Sequence, residues 1–299
     1  MASSGGQALA TEECRQSGSK RKRFTMPARV PLVKPCVPRS CDLVVGRRVS
    51  LVPPPPEVKQ KLGSAELVIG IDVESHDWED KGGVRVKGRI GRCGFYTLRE
   101  ERDLTFARLV QLGWVVGGSG PEGGLEISKG FLIKPEGFNI STKATAFHGI
   151  SHQRAQEEGK PLREVMQDFF RDVIRAVERG GRVVAHHLEF DAGIISEELR
   201  RSGLAEFQHR WEAIAHKGLC TMDPCIGRWM RLCRGEDAGP ATAKNTLCLR
   251  DLVEQLVPDH ERLLAKHHDA QTDAEMHRLV YVNLLRIWRE ADAYAAMPS

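Results

Sequence analysis

The stretch Leu67-Val-Ile-Gly-Ile-Asp-Val-Glu74 sets two carboxylates into an otherwise apolar, strand-forming run. Residues two apart in a strand share a face, so Asp72 and Glu74 project side by side, about 7 Å apart along the backbone. Two like charges held that close repel unless a cation lies between them. Taken alone, the octapeptide is equally well a strand end whose acids sit in solvent, and the rest of the chain has to decide.

Upstream, residues 1–64 hold 8 of the 15 prolines, including Pro53 to Pro56, and show no sustained period of 2 or 3.6. They read as a disordered, basic, Pro-rich arm and linker. The arm carries 12 Lys+Arg against 4 Asp+Glu, whereas the remainder carries 32 against 36, so the net charge of +4 conceals an acidic body. A phosphate-binding surface on that body must therefore be local. Within the arm, Lys20-Arg-Lys-Arg23 is a compact basic cluster of the kind that import receptors read, or else a merely solvated tail.

At 299 residues and 41% apolar composition the chain can bury a sizeable core. No apolar run approaches the ~20 residues of a membrane span, and no secretory apolar segment opens the sequence. The expectation is an intracellular protein, nuclear if the basic cluster is an import signal and otherwise cytoplasmic, with no membrane partner. The eight cysteines are scattered and form no CxxC pair, so free thiols are expected.

Downstream of Glu74, Gly82-Gly83, Gly88, Gly91 and Gly94 break any long element, and residues 76–103 read as an insertion. Between residues 81 and 99 it has six basic residues, Arg89 and Arg92 among them, and no acidic one; Phe95 and Tyr96 are interleaved. Such a pattern can track a sugar-phosphate strand, or it can be a solvated loop or hairpin. Thr105 to Val116 and Leu125 to Ile133 then alternate as two strands joined by the Gly-rich turn 117–124, giving an antiparallel meander with the first strand. From Pro161, the stripe Leu162, Val165, Met166, Phe169, Phe170, Val173, Ile174 and Val177 marks a helix. A short buried strand at Val183 to His186 feeds a helix from about Phe190 to Arg201. Strand and helix patterns alternate thereafter, ending in a helix from about Asp269 to Arg289. The result is an α/β mixed sheet, a meander followed by βα units, flanked by helices.

Hard cations need further oxygen ligands. Asp191 sits where the buried strand meets its helix, a position that a helix N-terminal acid would also favour. Asp273 is more telling. It lies three residues before Met276 and seven before Val280, on the buried stripe of the last helix, where an unpaired carboxylate is costly. His268, five residues earlier, shares that site only if it lies in the loop before the helix, since five helical residues turn it about 140° away. There it would be a natural general base. Its neighbour His267 is expected to be exposed and dispensable.

The ordered set Asp72-x-Glu74, Asp191 and His268-x4-Asp273 strongly resembles the DEDDh family of 3′–5′ exonucleases, a branch of the ribonuclease H-like fold. Ala107-Arg-Leu-Val-Gln-Leu-Gly113, Phe147-His-Gly-Ile-Ser151 and Ala185-His-His-Leu-Glu-Phe-Asp191 match that family's surrounding motifs, and the resemblance covers roughly residues 66–290. It implies one exonuclease domain over residues 65–295. It also implies two divalent cations, Mg²⁺ or Mn²⁺, that serve hydrolysis of the 3′-terminal phosphodiester with release of nucleoside 5′-monophosphates. Asp72 would bridge both ions, Glu74 and Asp273 would complete one site, Asp191 would hold the other through water, and His268 would be the base.

Substrate contacts are expected from Ser75, His76, Trp78, His148, His187, Phe190, Arg89 and Arg92. Two of these depart from the family pattern. Trp78 stands where a wedging leucine is usual, and either stacks on a 3′ base or is a structural tryptophan. His187 replaces an asparagine. The partner implied is DNA or RNA with a single-stranded 3′ end. A nucleic-acid-binding adaptor of the same fold that has lost turnover is the alternative, and an internally cutting nuclease a third; the intact acidic set disfavours the adaptor.

Overall fold

The computed structural model describes residues 51–77, 106–120 and 123–296. In chain order the elements are α1 (Pro56–Leu62), β1 (Leu67–Ser75), β2 (Leu109–Gly118), β3 (Leu125–Leu132), α2 (Thr142–His148), α3 (His152–Glu158), α4 (Leu162–Glu178) and β4 (Gly181–Ala185). Then follow α5 (Leu188–Arg201), α6 (Gln208–His216), β5 (Leu219–Cys220), α7 (Pro224–Cys233), α8 (Leu249–Leu256), α9 (Glu261–Leu264) and α10 (Ala270–Ala295).

The five strands form one mixed sheet in the order β3-β2-β1-β4-β5. β1, β2 and β3 make the antiparallel meander, and β4 and β5 join parallel. The expected α/β architecture is therefore what the chain adopts. The second strand begins at Leu109 rather than near Thr105 and is buried almost throughout, because β2 lies between two other strands with a helix over each face. Burial on both sides removes the polar alternation that marks a strand's limits.

Pleating sorts β1 by parity. Ile69, Ile71 and Val73 enter one core with Met166, Phe169 and Val173 of α4, whereas Val68 enters a second core with Met276, Val280 and Leu284 of α10. The even-numbered side, with Asp72 and Glu74, consequently faces α10. That helix lies unusually close: a Cβ added to Gly70 would stand 2.0 Å from the Ala274 carbonyl oxygen, and one on Gly113 would stand 2.1 Å from that of Ala270. Only glycines permit such contact of helix and sheet backbones.

The expected arm does not extend to residue 64: residues 56–62 form α1, with Val58 and Leu62 fully buried against the second core. The proline run hid the helix, although its last member, Pro56, occupies the first turn, where a missing N–H costs nothing. Several contacts fix α1. Tyr281 Oη donates to Leu62 O (2.9 Å), Lys59 pairs with Asp292 (2.7 Å), and Arg182 Nη1 donates to Lys61 O (2.6 Å) and Leu62 O (2.8 Å). Among the described residues, Cys220, Cys225 and Cys233 are free thiols. Among the described residues no helix is long and apolar enough to cross a membrane.

Candidate metal centre

Asp72 and Glu74 project from the far end of β1, and Asp273 reaches them from the first turn of α10. Ligand oxygens of the three lie within 4.8 Å of one another. This is the convergence that the strand pair and the helix stripe demanded. Burial, and then the charges of Asp191, Asp273 and Glu74, hold the Asp72 carboxyl well above the ordinary range. Burial, and then the charges of Asp273, Asp191 and Asp269, hold Glu74 well above its ordinary range.

Asp191 completes the acidic set from α5 but lies outside that tight trio. β4 pairs with β1 only over Leu67 to Gly70, which leaves the Val73 N–H on that edge for the Asp191 carboxylate. The other oxygen, Oδ2, is buried with no hydrogen-bond partner among the described residues. Burial raises this carboxyl too. A buried oxygen with nothing to accept is costly unless a cation or an ordered water completes it. All-oxygen ligation of this kind suits a hard divalent ion.

The first turn of α10 is clamped to the sheet. Asp269 caps it by accepting from Thr272 N (3.1 Å), and its other oxygen accepts from Gln111 Nε2 (2.9 Å). Gln111 Oε1 in turn accepts from Ala270 N (3.1 Å), and Gln111 is the β2 partner of Glu74. One side-chain amide thus ties β2, at the residue paired with Glu74 of β1, to the helix that carries Asp273. Sequence reasoning did not find Gln111 or Asp269; an Asp three residues before a Thr at a helix start was the available signal.

His268 does lie in the loop before α10, with a left-handed φ of 73°. Its N–H points at Asp273 (3.2 and 3.4 Å to the two oxygens), and its ring lies between Phe147 and His267, each 3.8 Å away by centroid. Burial, then His267, pushes its pKa down to about 4, so the imidazole is neutral at pH 7. His267 is not the exposed bystander expected. It is half-buried, and its Nδ1 stands 3.0 and 3.1 Å from the Asp273 oxygens. The left-handed turn at His268 swings the preceding ring inward, which a linear spacing does not reveal.

His277 was also missed. One turn beyond Asp273 and fully buried, it donates from Nδ1 to Ile71 O (2.7 Å) and sets Nε2 3.9 Å from Asp72 Oδ1. Burial holds it near pKa 4. Four-residue spacing from Asp273 places it on the same helix face, and that was the readable sign.

The expected substrate contacts divide. His148, at the end of α2, accepts from Ile150 N (3.0 Å) at Nδ1 and therefore presents Nε2–H to Ser75 O (3.3 Å). His76 Nδ1 accepts from Arg108 N (3.0 Å), closing the chain where it leaves β1 and returns to β2. Ser75, His76 and His148 are thus brought to the carboxylate end of β1. His187, in a left-handed conformation ahead of α5, stacks parallel on Phe190 with centroids 5.7 Å apart. Trp78, Arg89 and Arg92 lie outside the described residues.

The fold is similar to that of E. coli exonuclease I. Its zinc-ion-bound complex with single-stranded DNA aligns with a TM-score of 0.50 at 13% identity, over 77% of this chain and 43% of that one. The complex with a dT13 oligonucleotide gives 0.48 at 15% identity over 75% and 43%. An apo structure of an exonuclease I gives 0.48 at 14% identity over 76% and 44%. This chain therefore spans less than half the length of those structures. The sheet and its flanking helices are ribonuclease H-like, as the resemblance implied. No protein-family model matches the sequence, and no curated protein matches it.

Proposed function

We propose that this protein is a divalent-metal-dependent 3′–5′ exonuclease of the DEDDh type, acting on single-stranded 3′ ends of DNA or RNA. The reading rests on the convergence of Asp72, Glu74 and Asp273 within 4.8 Å beside Asp191, whose buried Oδ2 lacks a partner. The zinc ion and single-stranded DNA held by E. coli exonuclease I support a cation and a substrate of those classes. We place the catalytic unit at residues 65–295, extended upstream by α1.

Asp72, Glu74 and Asp273 would hold one Mg²⁺ or Mn²⁺, and Asp72 with Asp191 a second. Bound there, such ions lower the pKa of the attacking water and stabilise charge on the attacking and leaving oxygens. His268, neutral at pH 7, accepts the proton of the attacking water at a ring nitrogen. As the new P–O bond forms, the bond to the preceding nucleotide's 3′ oxygen breaks, and a nucleoside 5′-monophosphate departs. The Asp269–Gln111 clamp holds Asp273 in register with Glu74, so the carboxylates need not reorganise during turnover. Ser75, His76, His148, His187 and Phe190 would border the terminal nucleotide.

The test is incubation of the full chain with 3′- and 5′-labelled single strands in Mg²⁺ or Mn²⁺, comparing wild type with Asp191→Ala. Mononucleotides released from the 3′ end by wild type, and at least 100-fold less by the variant, are expected. Wild-type protein that binds the strands without releasing mononucleotides would instead identify the adaptor.

A further inference from the structure

The Asp273 carboxylate faces two groups of donors. Toward the sheet it meets Asp72 and Glu74; toward the loop it meets the rings of His267 and His268, again with one ligand atom of each residue within 4.8 Å of the others. The acidic trio offers only oxygen. The second group offers imidazole nitrogen, and nothing in the proposed hydrolysis uses His267.

His267 Nδ1 stands 3.0 Å from Asp273 Oδ2 and 3.1 Å from Oδ1. Two ligands at right angles around an ion, each about 2.1 Å from it, are themselves about 3.0 Å apart. Without an ion the nitrogen hydrogen-bonds Asp273 at this distance, and the same spacing suits two adjacent ligands of one ion once the proton on Nδ1 is displaced. Nor is the ring free to turn away, since it stacks on His268 at 3.8 Å with an interplanar angle of 25°, and the His268 N–H is itself directed at Asp273. The orphaned Asp191 Oδ2 and the crowded carboxylates nearby show that this end of the sheet is built for positive charge.

We propose that His267 is a nitrogen ligand, together with Asp273, of a mixed imidazole–carboxylate cation site that takes Mn²⁺ or a later transition-series ion in preference to Mg²⁺. Mg²⁺ binds through oxygen and keeps its waters, so an added imidazole gives it little, whereas the transition ions gain a ligand that suits them. The inference rests on the reading of this carboxylate cluster as a cation centre. It deepens that reading by naming which ions the centre selects.

The test uses the full chain, stripped with chelator and loaded with Mn²⁺, in three forms: wild type, His267→Phe and His267→Gln. Phenylalanine keeps the stack on His268, and glutamine keeps a donor for Asp273; melting curves verify that both variants fold. Pulsed electron paramagnetic resonance of bound Mn²⁺ is expected to show ¹⁴N coupling in the wild type and none in either variant. The Mn²⁺ dissociation constant is expected to rise at least tenfold in both, with that for Mg²⁺ changing less than threefold. Equal losses for both ions, restoration of Mn²⁺ affinity by glutamine, or ¹⁴N coupling that persists in the phenylalanine variant would each overturn the proposal. Wild type that shows ¹⁴N coupling but releases no mononucleotide defeats the exonuclease reading alone. Wild type that degrades 3′ ends without ¹⁴N coupling defeats the ligand assignment alone.

Discussion

Gly70→Ala tests whether helix–sheet contact sets the geometry of the carboxylates. The new methyl would stand 2.0 Å from the Ala274 carbonyl oxygen, and no flexible side chain is there to yield; Val115 Cγ2 crowds it from another side at 3.0 Å. Relieving the overlap requires at least about 1 Å of backbone displacement, since contacts closer than 3.0 Å are not sustained. Ala274 follows Asp273 directly, and Gly70 precedes Asp72 by two residues, so the displacement falls between two of the converging carboxylates. Overpacking of this kind costs about 1–3 kcal/mol, or roughly 2–12 °C in melting temperature for a domain of this size. A ~1 Å misplacement of a reacting group costs on the order of 100-fold in rate. Melting curves, Mn²⁺ titration and 3′-end degradation are measured beside Gly120→Ala, whose added Cβ meets nothing within 4 Å. The control should match wild type in all three. If Gly70→Ala also matches it, close approach of α10 does not position the site, and the account of Gly70 is wrong.

Removal of metal should destabilise the protein most at alkaline pH. Burial raises the Asp72, Glu74 and Asp191 carboxyls above their unfolded values, so their contribution to the metal-free fold is fully present only where they are protonated. That contribution is lost as pH rises from the ordinary carboxylate range through the raised values. His268 and His277, held near 4, work oppositely: their contribution is present above about 6.5 and is lost as pH falls toward 4. The gain in melting temperature on adding Mn²⁺ should therefore be larger at pH 8 than at pH 5.5, and equal gains would contradict the cluster. His277→Leu should lower stability by about 1–3 kcal/mol, because it strips the Ile71 carbonyl of its buried donor; chemical denaturation reads this, and an unchanged midpoint would refute it. Charge reversal at Arg89 and Arg92 should weaken single-strand binding and flatten its salt dependence. An unchanged slope in a filter-binding series would leave the segment outside the nucleic-acid path.

Much of the centre was legible because it obeys the two simplest periodicities. Alternation puts Asp72 and Glu74 on one face of β1, and the apolar stripe of α10 carries Asp273 into the core. What stayed hidden depends on contacts remote in sequence or on a local turn. Gln111 and Asp269 meet across 158 positions, with no pattern linking them. His267, expected to be exposed, faces Asp273 because the left-handed φ of His268 sets the two rings face to face. The start of the folded body was missed because prolines usually signal irregular chain, and Pro56 instead opens a helix. His277, by contrast, was within reach of helical spacing.

The anchoring of α1 bears on how the protein can be handled and tethered. Arg182, Tyr281 and Asp292 grip this helix just ahead of Leu67, where β1 begins, and the carboxylates lie at the strand's other end. Seven residue steps of strand separate Leu67 from Glu74, a span of roughly 23 Å. An affinity handle or a surface linkage joined directly at residue 51 would thus pull on the rear of the sheet. Protein immobilised in this way should present its carboxylates outward to a strand arriving from solution.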